Sequence, residues 1–268
     1  MHSSNTTVHG LWIGTRLSAA ELLTIKSFLA CGHEFHLWAY DRLETPLPEA
    51  CVLHDASVII PRDQVFCYSA SNQFGHGKGS YAGFSDIFRY KLLYEYGGWW
   101  TDMDVSCLRP LDIEDAYVFR THQQLRLVGN IMKCPPRSEL MKRCYEEASA
   151  KVHHDNTDWH LPIEILCRHV ENLGLSRYIR EISNPDSWNF IRNLLRSDFS
   201  PPAHWYLIHW VNEEWRRNKI DKNTALKSSY FYKLATQHQT GVEALSGFDA
   251  LRQRYRLSLG GYIANRFG

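Results

Sequence analysis

The stretch YAGFSDIFRYKLLYEYGGWWTDMD, residues 81–104, decides the fold. Its first part, Tyr81–Tyr96, predicts a helix, and Gly97 and Gly98 end it because two successive glycines allow a tight turn. Trp99–Asp102 then predicts a short strand. A helix that turns directly into a strand brings both elements to one edge of a sheet.

Four charged side chains in this stretch point to chemistry at that edge. Asp86 and Arg89 are three residues apart in the predicted helix and therefore share a face. Asp102 and Asp104 flank one residue at the predicted strand end, where alternation would point both carboxylates the same way. Two carboxylates suit Mg²⁺ or Mn²⁺ better than zinc, and such ions keep open positions for substrate phosphates.

Each half of this pattern has an ordinary explanation on its own. A lone D-x-D occurs by chance in many surface turns, and Asp86 with Arg89 alone would be a surface ion pair. The joint pattern S-D-x-x-R-x-x-x-L-Y-x-x-G-G-x-x-x-D-x-D is more specific. Within it, Arg89 would donate to a phosphate or hydroxyl, and Asp86 would accept from sugar hydroxyls.

Upstream residues alternate between strand and helix signals. Val8–Ile13 predicts a strand, and the capping box that begins at Ser18 opens a helix to Cys31. Glu34–Tyr40 and Val52–Ile60 predict two more strands. This order predicts an α/β fold with a mostly parallel sheet between helices, whose ligands bind at the carboxyl ends of the strands.

The second half of the chain is less regular. Pro136–Val152 and Pro162–Leu173 predict helices, and His204–Trp210 predicts a strand. Residues 212–268 predict helical pieces, with breaks at glycines that include Gly260 and Gly261.

Composition narrows the class of protein. The chain has 268 residues, 44% hydrophobic and 22% charged, which is typical of a folded globular protein of one to two domains. A net charge of +1 argues against a general nucleic-acid binder. Residues 203–268 carry ten basic and five acidic residues, and this excess hints at contact with an anionic surface.

Cysteine spacing and the absence of long apolar runs predict a cytoplasmic protein. The seven cysteines include no C-x-x-C pair, so they predict reduced, mostly buried thiols and no zinc site. No apolar run reaches 18 residues, and the N-terminus has no signal-peptide pattern. The basic C-terminal quarter adds the expectation of peripheral contact with the inner face of a membrane.

The run from Ser85 to Asp112 resembles the D-x-D sugar-binding region of GT-A glycosyltransferases, closest to glycosyltransferase family 32 and the related clostridial glucosylating toxins. His9–Gly14 (HGLWIG) resembles the opening strand I-H-x-x-W-x-G, and His209–Arg217 (HWVNEEWRR) resembles a bacterial H-L-W-N-E-x-W-R-R segment. Many relatives carry Gly-Pro where this chain has Leu161-Pro162.

The resemblance implies one GT-A domain over residues 1–268. Residues 8–135 would be its nucleotide-sugar-binding half, and residues 136–268 its acceptor-side, helical closing half. The implied activity is metal-dependent transfer of a hexose from a nucleotide sugar, with retained anomeric configuration, to a glycan, lipid-linked or protein acceptor. Compact length and the bacterial-type segment favour polysaccharide assembly.

The resemblance also implies a donor site. Trp12 would stack on the uracil of a UDP-sugar, Gly14 would let the backbone approach closely, and Tyr40 would lie near the base or ribose. Asp86 and Arg89 would hold the donor sugar.

The implied metal site, for Mn²⁺ or Mg²⁺, lies beside that sugar. Asp102 would contact ribose or metal, Asp104 would be the firmer metal ligand, and His209 or Asn212 would complete the shell. Asn130 would face the donor sugar. The residues expected to carry catalysis are Asp86, Arg89, Asp102 and Asp104.

Two other functions stay open at this point. A haloacid-dehalogenase-type phosphatase also uses D-x-D, and Asp102–Val105 fits that string, although it lies at mid-chain without a long apolar strand before it. The second alternative is a non-catalytic nucleotide-sugar or carbohydrate-binding protein with the same fold. The presence of Asp86, Arg89, Asp102 and Asp104 argues against it.

Overall fold

The computed structural model describes residues 6–72 and 77–258. The elements of the first half, in chain order, are β1 (Thr7–Trp12), α1 (Ala19–Ala30), β2 (Glu34–Ala39), β3 (Cys51–Asp55), α2 (Ala82–Tyr96), β4 (Gly98–Thr101), β5 (Val105–Cys107), β6 (Val118–His122) and β7 (Arg126–Cys134). Those of the second half are α3 (Glu139–Lys151), α4 (Leu161–Asn172), β8 (Ile179–Arg180), α5 (Trp188–Leu194), β9 (Leu207–His209), α6 (Asn212–Arg217), β10 (Thr224–Leu226), α7 (Tyr230–Gln237), β11 (Glu243–Leu245) and α8 (Gly247–Arg256).

A seven-stranded sheet in the order β3-β2-β1-β4-β7-β6-β8 forms the centre. The pairs β3–β2, β2–β1, β1–β4 and β6–β8 are parallel, and β4–β7 and β7–β6 are antiparallel. The predicted α/β fold with a mostly parallel sheet is therefore confirmed. Two small sheets, β10–β11 and β5–β9, lie outside it.

Helices cover both faces of this sheet. Trp99 and Trp100, neighbours in β4, belong to different core clusters because successive strand residues point to opposite faces. Trp100 packs 6.3 Å from the ring of Phe88 in α2, and α3 and α4 complete that side. Trp99 lies with Phe28 of α1 on the other side.

The turn between α2 and β4 requires glycine. Gly97 and Gly98 have φ values of 66° and 86°, in the left-handed region that side chains disfavour. A Cβ on Gly97 would also lie 2.5 Å from the ring of Pro136. The sequence prediction of a tight helix-to-strand turn is confirmed.

Two predictions of local structure in the first half of the chain need correction. Asp102 and Asp104 do not alternate along a strand, since β4 ends at Thr101 and both aspartates lie in the turn before β5. The third strand ends at Asp55 and does not continue to Ile60. The carboxylate of Asp55 instead caps a 3-10 turn over Ala56–Val58.

The C-terminal residues were predicted as helical pieces. They contain α6, α7 and α8, but also β10 and β11, which pair in parallel. The predicted break at Gly260 and Gly261 lies outside the described residues. Among residues 6–72 and 77–258, no helix is both long and apolar enough to cross a membrane.

Candidate active site

A cavity of about 760 Å³ opens at the carboxyl ends of β1 and β4. It is lined from both halves of the chain, which is where an α/β sheet places ligands. Most of the residues predicted from the sequence line it together. They are Trp12, Asp86, Arg89, Asp102, Asp104, Asn130, His209 and Asn212.

A buried arginine joins two of the predicted carboxylates. Arg89 Nη1 lies 3.2 Å from Asp86 Oδ1, and Arg89 Nη2 donates to Asp102 Oδ1 at 2.9 Å. Asp86 and Arg89 are both about 5% exposed, so they form a buried ion pair and not a surface ion pair. Trp100 fixes the same oxygen of Asp102 with a 2.8 Å bond from its indole, and its ring lies 5.3 Å from the guanidinium.

The backbone at Gly129 in β7 leaves room for this arginine. A Cβ on Gly129 would lie 2.6 Å from Arg89 Nη1. Because two carboxylates hold the guanidinium in place, it could not move aside without losing a partner. The position of Arg89 therefore depends on a residue forty positions away along the chain.

Burial raises the pKa values of the two carboxylates that Arg89 joins. It raises the pKa of Asp86 to about 6, and the charge of Arg89 only partly opposes this. Burial also raises the pKa of Asp102, against the attraction of Arg89. Titratable groups with raised pKa values inside a cavity are typical of functional sites.

Asp104 is held from the other half of the chain. Its Oδ2 accepts from the backbone N–H of Asn212 at 2.8 Å and lies 3.3 Å from Nε2 of His209. Its carbonyl accepts from the backbone of Trp210 at 2.9 Å, and Val105 pairs with His209 between β5 and β9. Burial opposes ionisation, but His209 and Asn212 lower the pKa of Asp104 below its ordinary value.

His209 is held between two carboxylates. Its Nδ1 lies 2.6 Å from Asp186 Oδ1, and its Nε2 faces Asp104. Burial would lower the pKa of His209, but the charges of Asp186 and Asp104 raise it to about 10. Arg120, which is 2% exposed, holds Asp186 with two hydrogen bonds of 2.8 and 2.5 Å.

A side-chain amide fixes the backbone of the same histidine. Asn184 accepts from the N–H of His209 at 2.7 Å and donates to its carbonyl at 3.0 Å. Two residues later Val211 has a φ of 52°, a left-handed conformation that a β-branched residue rarely adopts. The chain therefore turns sharply into α6, whose first residue is Asn212.

Arg120, Asp186 and Asn184 could not be predicted from the sequence pattern. Each acts through a partner tens of residues away, so no local pattern marks it. The sequence contains Asn184-Pro185-Asp186, an ordinary loop tripeptide.

The two aspartates of the D-x-D fit a divalent cation. Asp102 Oδ2 and Asp104 Oδ1 carry no hydrogen bond within the described part of the chain, and both residues line the cavity. Residues 6–72 and 77–258 contain no group of three or more histidine, cysteine or acidic side chains placed to hold a metal. The protein would thus supply two carboxylate oxygens and leave other positions to phosphates or water.

The two C-terminal candidates differ in how ready they are to bind metal. Both ring nitrogens of His209 face carboxylates, so it would have to lose a proton and turn Nε2 from Asp104 to a metal. Asn212 already bonds Asp104 through its backbone, and its side chain borders the cavity. Their roles as ligands stay predictions.

Three buried donors of residues that line the cavity have no hydrogen-bond partner in the described part of the chain. They are the indole N–H of Trp12, the amide nitrogen of Asn130 and Nε of Arg89. A buried donor without a partner costs about 1–3 kcal/mol, so a ligand that accepts from one of them would be favoured.

Gly14 and Tyr40 lie apart from the cavity lining. Gly14 donates to Asp41 Oδ2 at 3.0 Å, with a φ of 132° that favours glycine. The hydroxyl of Tyr40 donates to the carbonyl of Ile60 at 2.7 Å, and its ring packs on Phe84. Their donor contacts stay predictions.

Part of the cavity lining is aromatic. Trp159 and His160, stacked with ring centres 5.7 Å apart, precede α4, and Gln124 and Leu125 come from the β6–β7 connection.

Residues 47–120 match the family model described as the glycosyltransferase sugar-binding region containing the DXD motif. No curated protein matches the chain. Solved structures similar to it include the PaToxG glycosyltransferase, with 11% identity, 98% of this chain and 86% of that chain covered, and a TM-score of 0.45. Another is the apo-form glycosyltransferase GlyE of Streptococcus pneumoniae TIGR4, with 9% identity, coverages of 91% and 66%, and a TM-score of 0.41. The matched region contains α2 and both aspartates of the D-x-D, so this part of the chain is similar to the D-x-D sugar-binding region of glycosyltransferases.

Proposed function

We propose that this chain is a metal-dependent, retaining glycosyltransferase that moves a hexose from a UDP-sugar to a glycan, lipid-linked or protein acceptor. The observation that carries the proposal is the convergence of Arg89, its two carboxylates and Asp104 on one cavity. The match of residues 47–120 to the D-x-D region supports the same reaction class. We place the enzyme in cytoplasmic polysaccharide assembly, on the resemblance of its C-terminal segment to bacterial relatives.

Asp102 and Asp104 would hold Mn²⁺ or Mg²⁺ through Oδ2 and Oδ1, respectively, the oxygens that carry no hydrogen bond in the described part of the chain. When bound, such an ion neutralises charge on the departing diphosphate as a Lewis acid. Arg89 fixes the first aspartate, and Asn212 and His209 fix the second, so the carboxylates need little rearrangement.

Asp86 and Arg89 would orient the hexose. The second oxygen of Asp86 is available to sugar hydroxyls, while Arg89 Nη1 holds the first at 3.2 Å. Trp12 would stack on the base, and its indole N–H offers a further donor. We assign no covalent nucleophile. The leaving diphosphate would help deprotonate the acceptor on the same face of the sugar.

The acceptor would approach along the wall of Trp159 and His160. Aromatic rings bind the apolar face of a sugar, so these two residues suit a sugar acceptor. This wall belongs to the half of the chain that the sequence assigns to the acceptor.

A donor screen tests the proposal. The purified chain is incubated with UDP- and GDP-sugars and Mn²⁺, and release of nucleoside diphosphate is measured with and without chelator. We expect chelator-sensitive hydrolysis of one or a few UDP-sugars. Hydrolysis of no donor, or turnover that chelation leaves unchanged, contradicts the proposal. Trapping of an aspartyl-phosphate at Asp102 would support the phosphatase instead.

A further inference from the structure

Helix α8 exposes an unusual number of large apolar side chains. Phe248, Leu251 and Tyr255 are 77%, 66% and 61% exposed. Only five other large hydrophobic residues in the described chain are exposed, and they are spread over four segments. Three such side chains on one ten-residue helix form a patch that a water-facing surface does not normally carry.

The three side chains lie on one face of α8. At 100° per residue they fall within an arc of about 60°. The opposite face packs on the domain, since Gln253 and Leu257 are buried and Leu257 belongs to the C-terminal core. The apolar residues of this segment therefore separate into Leu257 and Ala250, which pack on the C-terminal core, and the three exposed side chains.

Two arginines border the exposed face, one on each side. Arg252 and Arg254 are exposed, and neither makes an ion pair in residues 6–72 and 77–258. The helix also carries Asp249, in its first turn. Flexible arginines beside an apolar stripe can bury their stems while the charged ends stay at a polar boundary.

Four other basic residues of the C-terminal quarter already have acidic partners. Arg216 and Arg217 in α6 pair with Glu213 and Glu214 on the same helix, Lys222 pairs with Glu21, and Lys233 pairs with Asp198. In α8, by contrast, exposed arginines without an ion pair in the described part of the chain lie beside exposed apolar side chains.

We propose that α8 docks this protein on an anionic lipid membrane, with Phe248, Leu251 and Tyr255 in the headgroup boundary and Arg252 and Arg254 on acidic headgroups. The charge of the two arginines favours a lipid surface over a second copy of the chain, which would bring like charges together. A short helix with apolar residues on one face and arginines beside them is typical of interfacial binding. The proposal stands on α8 alone and does not depend on the sugar-transfer chemistry.

Docking at α8 would bring the cavity close to the membrane. Arg256 donates to the carbonyl of Lys219 at 2.9 Å, two residues beyond the end of α6. The first residues of α6, Asn212 to Glu214, line the cavity, and α6 is only about 9 Å long. A lipid-linked acceptor would then lie within reach.

Vesicle sedimentation tests the proposal. The full chain is mixed with phosphatidylglycerol-containing vesicles and with pure phosphatidylcholine vesicles, at about 0.01 M salt, where the Debye length is about 30 Å, and at about 1 M, where it is about 3 Å. We expect binding to the anionic vesicles at low salt and weaker binding at high salt. Variant Arg252→Gln/Arg254→Gln should bind about 30-fold more weakly. The variant Phe248→Ser/Leu251→Ser should bind the vesicles about tenfold or more weakly at either salt concentration.

Matched controls separate α8 from the rest of the surface. Val58, which is 66% exposed, and Arg42, which is also exposed, both lie in the first half of the chain. Val58→Ser and Arg42→Gln should bind as the wild type does. Circular dichroism checks that each variant is folded, and size-exclusion chromatography tests self-association.

Three results would overturn the proposal. They are no binding of the wild type to anionic vesicles at low salt, equal binding by the α8 variants, and a dimer that the α8 variants dissociate without any vesicle binding. Vesicle binding without donor hydrolysis would leave the docking surface in place and refute the enzymatic proposal alone.

Discussion

Asp186 lies 2.6 Å from Nδ1 of His209 and so points the other ring nitrogen of that histidine at Asp104. Arg120 holds Asp186 in turn. A carboxylate that orients a histidine beside a metal site changes metal affinity without touching the metal.

The first prediction follows from this contact. Asp186→Asn keeps the shape of the side chain but removes its charge, so His209 loses its orientation. We expect the affinity for Mn²⁺ to fall about 10- to 100-fold, measured by calorimetry. Asp198→Asn, which breaks an exposed pair with Lys233, is the matched control and should change nothing. Unchanged Mn²⁺ affinity in Asp186→Asn would show that the contact is structural only.

The second prediction concerns the metal itself. Asp104→Ala removes a carboxylate that lines the cavity, so metal-dependent donor turnover should be abolished while the fold survives. Asp112→Ala, an exposed aspartate further along the chain, is the control. Donor hydrolysis and thermal unfolding are measured together. Full activity in Asp104→Ala would remove the D-x-D from the mechanism.

The third prediction concerns the fork of Arg89. Arg89→Lys keeps a positive charge but cannot bond Asp86 and Asp102 at once, because an ammonium lacks the planar fork. Sugar transfer should fail, and UDP binding should change much less. Arg143→Lys, in an exposed pair with Glu139, is the matched control. Normal transfer by Arg89→Lys would mean that one carboxylate contact is enough.

The fourth prediction separates the two sides of the cavity. Trp12→Ala should weaken UDP binding by about 1–3 kcal/mol, the usual value of stacking on a base. Trp159→Ala, on the aromatic wall, should leave UDP affinity unchanged and raise the KM for acceptor. Fluorescence titration with UDP gives the comparison. Equal losses of UDP affinity in both variants would argue against separate donor and acceptor walls.

The fifth prediction concerns pH and lies outside the cavity. His9 is buried, accepts from the indole of Trp38 at 3.2 Å and lies beside His36. Burial and the charges of His36 and His54 together lower its pKa to about 3, against a hydrogen bond to the backbone of Gly97 that raises it. The unfolded chain, with a pKa of about 6.5, therefore binds the proton first. The contribution of His9 to stability is complete above about pH 6.5 and falls as the pH drops toward 3.

Urea unfolding of the wild type and of His9→Gln checks this. Gln can accept from Trp38 but does not titrate. Between about pH 6.5 and about pH 5 the wild type should lose about 2 kcal/mol more than the variant. Since the His36–His54 pair remains in both proteins, the difference isolates His9. Parallel losses would show that His9 is not the titrating group.

The local elements could be predicted because their signals are local. The α1 capping box is an example, since Ser18 and Glu21 satisfy each other within one turn. The turn at Gly97 and Gly98 is another, because only glycine adopts those φ values easily.

The antiparallel part of the sheet was not predicted. β7 is buried almost throughout, so it lacks the alternation that marks a half-exposed strand. The residues that hold His209 and Asp186 in place could not be predicted for a related reason. Arg120 and Asp186 meet across 66 positions, and only the folded chain brings them together.

The pairing of Val105 with His209 joins two distant parts of the chain at the site. It has a consequence for protein engineering. A donor-binding half transplanted without its own C-terminal half would carry Asp104 but lose the backbone N–H of Asn212 and the imidazole of His209 that hold it. Chimeras between relatives would therefore have to exchange β5 and β9 as a matched pair, whatever the boundary chosen elsewhere.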